Sequence, residues 1–381
     1  MIFSIVICLF LLFIISYVLM ILYYFDGWKQ IEKKQLNSIT TVSVSIIVAV
    51  RNEQYTIINL LHCLLSQDYN RNLMEIIVVD DNSTDNTMHI VNEFCIKYKF
   101  VRLISANAEG KKNALMQGIS NSKCELILTT DADCTMNTHW ISSIVNFYKD
   151  TNAKMICGPV CFSKEQSVFE KIQSLEFLTL IGSGAGAIGK GKTIMCNGAN
   201  LCYTRKVYDE VNGFENINGI ASGDDVLLMY KIKERYKEGI YFLKNTDAIV
   251  STVAQPNLIS FLNQRKRWAS KPMDVLNSET VFTAWVVYLV NFFLIATSIL
   301  FLVDFELEQD IKFFFICIFA FFIKLVVDLI FTRSVTLFFN KKYLLRYYPL
   351  FVLFYPIYIV LVPLLFLATG YVWKDRKLWN T

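Results

Sequence analysis

The chain has 381 residues, 54% of them hydrophobic, 14% aromatic and only 18% charged, a membrane-like composition. A net charge of +4 with no basic-aromatic patch argues against a nucleic-acid partner. Ten cysteines fall at no metal-ligand spacing and three histidines complete no site, so free thiols in a reducing compartment fit better than zinc or a disulfide framework.

Residues 2–25 carry no charge and suffice to cross a hydrocarbon core about 30 Å thick. They lack a basic leader and a small-residue cleavage site, so they are expected to be an N-terminal transmembrane anchor rather than a cleaved signal peptide. Residues 26–255 have ordinary soluble composition, enough for one domain with a sizeable core. There, "VSVSIIVAVRNE" (42–53) predicts a buried strand that breaks at Arg51-Asn52-Glu53, and 58–69 a helix after it. "MEIIVVDDNSTDNT" (74–87) predicts a second strand ending in Asp80-Asp81, with 83–87 as turn and cap for a helix over 88–98. A third round follows: a strand at 100–106, a helix at 110–121 and the strand "ELILTTDADC" (125–134). This alternation predicts a parallel sheet covered by helices, in which ligands bind at the carboxyl ends of strands. Asp81, Asp131 and Asp133 all fall at such ends. On an extended chain Asp131 and Asp133 project to one side. They suit Mg²⁺ or Mn²⁺, ions that share themselves with substrate phosphates, and so suggest a diphosphate ligand.

Next, "GAGAIGKGKT" (184–193) carries the formula G-x-x-x-x-G-K-T from Gly186 to Thr193. A phosphate-cradling loop of that kind needs a strand before it and a helix after it. Here the apolar spacing upstream, over 167–181, is helical, and the stretch downstream is β-rich and broken at Asn197-Gly198. The order is inverted, and a flexible Gly/Ala connector near a site is expected instead. "GDD" (223–225) by itself suits a turn and helix N-cap, and "QRKRW" (264–268) lies in a segment, 256–280, with the charge and apolar mix of a helix lying on a membrane.

The remainder, 281–381, is expected to hold about three spans. Residues 281–303 and 347–373 are uncharged, and 311–332 is interrupted by Lys324 and Asp328, which share a helix face as a structural ion pair. Pro349, Pro356 and Pro363 allow the last span to be kinked or re-entrant. Lys29, Lys33 and Lys34 follow the first span, and Arg333, Lys341, Lys342 and Arg346 separate the last two, while the loop 304–310 is acidic. The positive-inside rule then puts the soluble domain in the cytoplasm, although the basic tail 374–380 does not fit a full fourth crossing.

Taken in order, "VAVRNE", "VVDDNSTD", "GKKNAL", "TTDADC", "NGANLCYTRKVYDEVNGFE", "GDD" and "QRKRW" resemble a membrane-bound family 2 glycosyltransferase over about 43–268. The resemblance implies a GT-A-type α/β fold, a mostly parallel sheet flanked by helices, with transmembrane helices at both ends. It implies a metal-dependent inverting hexosyl- or N-acetylhexosaminyl-transferase using Mg²⁺ or Mn²⁺. By the same resemblance Ala49, Arg51 and Glu53 border the nucleoside, Asp81 accepts from the base and Lys111 faces the diphosphate. Asp131 contacts the ribose or diphosphate side and Asp133 ligates the metal, with Asp131 beside it. Gly198 and Asn200 line the acceptor side. Asp224-Asp225 matches the family's Glu-Asp motif with Asp for Glu, Asp225 holding the place of the general base. Gln264, Arg267 and Trp268 complete Q-x-x-R-W, with Trp268 an apolar platform for the acceptor and Arg267 meeting the diphosphate. The implied partners are a nucleotide diphosphate sugar and a lipid or lipid-linked acceptor at the cell inner membrane, in envelope glycolipid or polysaccharide synthesis. A processive polysaccharide synthase is the alternative, for which three C-terminal spans make a poor channel. From another class, a P-loop membrane ATPase or transporter subunit would use Gly186 to Thr193.

Overall fold

The computed structural model describes residues 2–32, 42–215, 223–270, 275–303, 310–373 and 376–378. Lys33, Lys34, residues 304–309 of the acidic loop and most of the basic tail lie outside them.

Runs of β-branched residues form β1 (Val44–Val50), β2 (Met74–Asp80), β3 (Val101–Ser105) and β4 (Leu126–Thr129). Between them lie α1 (Ile2–Gln30) before β1, then α2 (Ile57–Leu65), α3 (Thr87–Lys97) and α4 (Lys111–Asn121). The strands pair in parallel in the order β3-β2-β1-β4, with Ile47 opposite Ile77 and Thr129. Helices cover both faces, which is why β1 and β2 read as continuous apolar runs instead of alternating. The chain winds outward from β1 to β3 and then returns to β4 on β1's other side. That reversal opens a crevice at the carboxyl ends of β1 and β4.

Next come β5 (Thr135–Met136), α5 (Trp140–Thr151), β6 (Met155–Cys157), β7 (Val160–Ser163), α6 (Val168–Gly189), β8 (Leu201–Thr204) and α7 (Arg205–Glu210). After them run α8 (Asp224–Arg235), β9 (Ile240–Phe242), β10 (Val250–Val253) and α9 (Leu258–Ala269). β8 pairs antiparallel with β4 and β6, and β9 parallel with β6, completing a seven-stranded, mostly parallel sheet as expected. A small sheet, β5-β10-β7, stands beside it.

The chain ends in α10 (Ser278–Val303), α11 (Asp310–Phe338), α12 (Tyr348–Thr369) and a short hairpin. Among the described residues, four helical segments, within α1, α10, α11 and 342–369, are long and apolar enough to cross a membrane by length and composition. Pro356 and Pro363 sit inside α12, which continues through them as one helix. The Lys324–Asp328 pair forms at 2.6 Å, and Tyr17 on α1 donates to the same carboxylate at 2.9 Å. With Asp328 so held, the charges are kept from lipid and α1 is tied to α11.

The glycine formula resolves differently from the expected connector. α6 continues to Gly189, so Gly186 and its neighbours are helical and closely packed. A Cβ on Gly186 would stand 2.1 Å from Tyr24 O, and one on Gly27 2.0 Å from Gly186 O, so these glycines let α1 and α6 touch backbone to backbone. Lys192 beyond the helix pairs with Glu279 at 2.7 Å. Lys192→Ala is therefore expected to leave nucleotide-sugar affinity within about threefold, since exposed pairs contribute little. Titration with labelled ATP and nucleotide sugars checks it; micromolar ATP binding lost on substitution would restore the P-loop reading.

Candidate active site

The loops after β1, β2 and β4 meet at the switch point. Arg51 Nη1 donates to Asp81 O at 2.8 Å, Asn52 Oδ1 accepts from Thr84 N at 2.8 Å, and Glu53 N donates to Thr87 Oγ1 at 2.8 Å. These bonds fuse two strand-end loops into one floor beneath Ala49, Arg51 and Glu53. Asp81 is buried and its Oδ1 accepts from Gly110 N at 2.9 Å. Gly110 takes φ 107°, which a side chain would strain, and this turn starts α4 at Lys111.

Lys111 Nζ stands 2.5 Å from Asp131 Oδ1. Burial works to lower the Lys111 pKa, but the charges of Asp131 and Asp224 outweigh it and raise it, so Lys111 is a fixed cation. β4 ends at Thr129, sooner than its sequence suggests, and Cys134 N donates to Asp131 O at 3.1 Å to close a turn. Each carboxylate has its own partner: Asp131 meets Lys111, while Asp133 Oδ2 accepts from Thr252 Oγ1 of β10 at 2.9 Å. Burial first, and then the charge of Asp131, raise the Asp133 pKa. A hard divalent cation held by Asp133 would relieve that repulsion, so the donor set fits Mg²⁺ or Mn²⁺. Among the described residues no three Asp, Glu, His or Cys side chains gather to hold a metal ion. The remaining coordination has to come from water and phosphate oxygens, the usual habit of Mg²⁺.

α8 opens the opposite wall. Gly223 at φ 91° precedes it, and Asp224 and Asp225 form its first turn. Asp225 accepts from Gly198 N at 3.0 Å and from Val226 N at 2.8 Å, which fixes both oxygens beside Gly198. The Asp224 carboxyl is raised by burial, opposed by Lys111 and reinforced by Asp225. α9 supplies Gln264, Arg267 and Trp268.

Asp224, Asp225 and these α9 residues line one cavity of about 1250 Å³. Arg51, Glu53, Asp81, Lys111, Asp131 and Asp133 form the rest of its charged lining. Gly198 lines it as well, and Met20, Ile21, Trp285, Tyr288, Leu364 and Leu367 of α1, α10 and α12 give it an apolar arm. Trp285, Leu364 and Leu367 are also exposed.

The profile of Glycosyl transferase family 2 matches residues 45–211, which contain β1 to β8 and the Asp131 turn. The chain carries a family 2 glycosyltransferase domain. Among curated relatives it is 25% identical over 257 residues to the probable glycosyltransferase YdaM of Bacillus subtilis, covering 65% of this chain and 59% of that one. It is 28% identical over 241 residues to the poly-beta-1,6-N-acetyl-D-glucosamine synthase of Staphylococcus epidermidis, covering 61% and 55%. The match thus spans little more than half the length of these relatives. Among solved structures, the mannosyltransferase PcManGT of Pyrobaculum calidifontis, in complex with GDP-Man and Mn²⁺, superposes over 91% of this chain and 98% of its own at TM-score 0.58 and 17% identity. The two share a fold.

One predicted residue of the glycosyltransferase domain stands elsewhere. Asn200 is buried, its amide donates to Pro159 O and Ala248 O at 2.9 and 2.8 Å, and its Oδ1 accepts from Trp140 Nε1 at 3.0 Å. With donors and acceptor so occupied, Asn200 braces the core and does not line the acceptor side. Conversely, sequence reasoning passed over Glu176 and Arg265. Their ion pair is buried at 5% and 4% exposure, with Arg265 Nε 2.9 Å from Glu176 Oε1. The Arg265 guanidinium lies 4.2 Å from the Trp268 ring centroid and 4.4 Å from that of Phe261. The signal was a lone carboxylate in the apolar run "SLEFLTLI" (174–181), which needs a buried partner.

Proposed function

We propose that this chain is an inverting glycosyltransferase that moves a hexosyl or N-acetylhexosaminyl group from a nucleotide diphosphate sugar to a lipid acceptor at a membrane. The single observation that carries this reading is the continuity of the cavity. One space joins a cluster of carboxylates and cations to apolar walls between helices fit to cross a membrane. An aqueous donor and a membrane-held acceptor can meet there.

In this proposal Ala49, Arg51, Glu53 and Asp81 hold the nucleoside, and Lys111 and Arg267 face the diphosphate. When bound at Asp133 beside Asp131, Mg²⁺ or Mn²⁺ neutralises charge on the leaving diphosphate. The acceptor hydroxyl oxygen bonds to the anomeric carbon from the side opposite the diphosphate. The carbon–oxygen bond to phosphate breaks with its electron pair on the leaving oxygen, and the hydroxyl proton passes to Asp225. Trp268, braced by Arg265, offers the acceptor an apolar face. The soluble domain is placed in the cytoplasm and the helices in the inner membrane. GDP-Man and Mn²⁺ in the mannosyltransferase of the same fold support this ligand class. The synthase among the relatives favours a second reading, processive polymer formation, which the product's solubility separates from the first.

A panel of radiolabelled nucleotide sugars, incubated with membranes containing the chain, tests the proposal: one donor is expected to transfer label, and EDTA to abolish transfer. No transfer from any donor would sink it. Asp133→Ala is expected to raise the Kd for that donor in the presence of Mn²⁺ by at least about tenfold, the scale of a disturbed metal site. An unchanged requirement for metal in the mutant would remove Asp133 from the metal assignment.

A further inference from the structure

Besides the carboxylates and the apolar arm, four hydroxyls line the cavity: Tyr230 on α8, Thr280 and Thr283 on α10, and Tyr24 on α1. They pair across helices, Tyr230 OH with Thr280 Oγ1 at 2.7 Å and Tyr24 OH with Thr283 Oγ1 at 2.8 Å. Where the protons go follows from the other bonds. Thr280 Oγ1 lies 3.2 Å from Ile194 O, and Thr283 Oγ1 2.8 Å from Glu279 O. Carbonyl oxygens only accept, so Thr283 donates to Glu279 O and receives from Tyr24. Ile194 O, which also lies 3.4 Å from Tyr230 OH, takes the proton of Thr280 or Tyr230, and the other hydroxyl donates within the pair. All four protons are then committed inside the protein, while lone pairs remain on the oxygens. The row accepts hydrogen bonds and gives none.

Burial pushes the Tyr230 phenol up to about 12, with the charge of Asp225 acting in the same direction, so Tyr230 stays neutral and keeps its proton. Asp225 itself is a fixed acceptor at the same end of the row. A lipid phosphate, with a second pKa of about 6, brings charge and lone pairs against such a wall and at neutral pH has few protons to offer. A neutral head bearing several hydroxyls brings the protons the wall lacks, one for Asp225 and others for the row.

Resting on the lipid-acceptor reading above, we propose that Tyr230, Thr280, Thr283 and Tyr24 form the head-group subsite of an uncharged lipid with at least one hydroxyl besides the reacting one, and that this subsite disfavours lipid phosphates.

The test uses the full chain in nanodiscs, the labelled donor found active in the panel, and two acceptors at equal density: a monohexosyl diacylglycerol and undecaprenyl phosphate. Label is expected to enter the neutral glycolipid at least about tenfold faster, the scale of one or two mismatched polar contacts. The isosteric double change Thr280→Val with Thr283→Val is expected to raise the KM of that lipid about tenfold, a larger shift than in the donor's KM. Should the double variant fail to fold, Tyr24→Phe removes one oxygen and keeps the ring, with a smaller shift in the same KM. Preference for undecaprenyl phosphate, or an acceptor KM that none of these changes moves, overturns the subsite and leaves the lipid-acceptor reading standing. Label found in neither lipid but in a water-soluble glycan overturns that reading itself.

Discussion

Asp225→Asn is expected to lower turnover by about two to four orders of magnitude, the usual contribution of a general base, with donor affinity nearly intact. Asparagine keeps the shape and one oxygen, so it can still accept from Gly198 N or Val226 N, which Asp225 holds at 3.0 and 2.8 Å. What it cannot do is take a proton. Asp224 provides the contrast, because it lies within electrostatic reach of Lys111 and Asp131 on the donor side. Asp224→Asn should therefore disturb donor binding more than Asp225→Asn does. Single-turnover rates and donor titrations on both variants decide the matter. If Asp225→Asn loses binding and turnover equally, or if only Asp224→Asn abolishes turnover, the base is not Asp225.

The second large effect is on stability. Glu176→Gln is expected to cost about 3–5 kcal/mol, because it leaves the Arg265 guanidinium buried without its countercharge. The geometry admits no easy escape: Arg265 is 4% exposed, lies between the Phe261 and Trp268 rings, and also donates to Gln264 Oε1. Replacing both partners, as in Glu176→Leu with Arg265→Met, should recover much of the stability, since a buried pair exchanged for apolar groups is often neutral. Activity is not expected to return with it, because Gln264 and Trp268 lose the group that aligns them. Thermal unfolding in detergent checks the first point and acceptor KM the second. A single variant that unfolds like the wild type would mean that water reaches Arg265.

Much of this was legible because local patterns carried it. The β-branched runs at 44–50 and 74–80 could only be doubly covered strands, and the strand-helix alternation put Asp81 and Asp131 at carboxyl ends. Lys324 and Asp328 could be paired from their spacing alone, whereas Tyr17, which completes that cluster, comes from the far end of the chain. Long-range partners left no local trace: Thr252 on Asp133, Gly198 N on Asp225, and Glu176 under Arg265. The glycines near 186 looked like a connector because a sequence does not display what a missing side chain makes room for, here the backbone of Tyr24. Asn200 sits in an acceptor-side motif, yet its amide is used by Pro159, Ala248 and Trp140, and only the packed core shows that.

A cavity that joins an aqueous donor to a lipid acceptor has a direct test: the purified full chain, in nanodiscs of mixed lipid, is supplied with the active radiolabelled nucleotide sugar and the products are extracted with chloroform and methanol. Label is expected in the organic phase, on a lipid carrying one added sugar, with no such product when EDTA is present or Asp225 is Asn. Label retained in a long water-soluble or insoluble polymer, with none in the organic phase, would contradict a lipid acceptor.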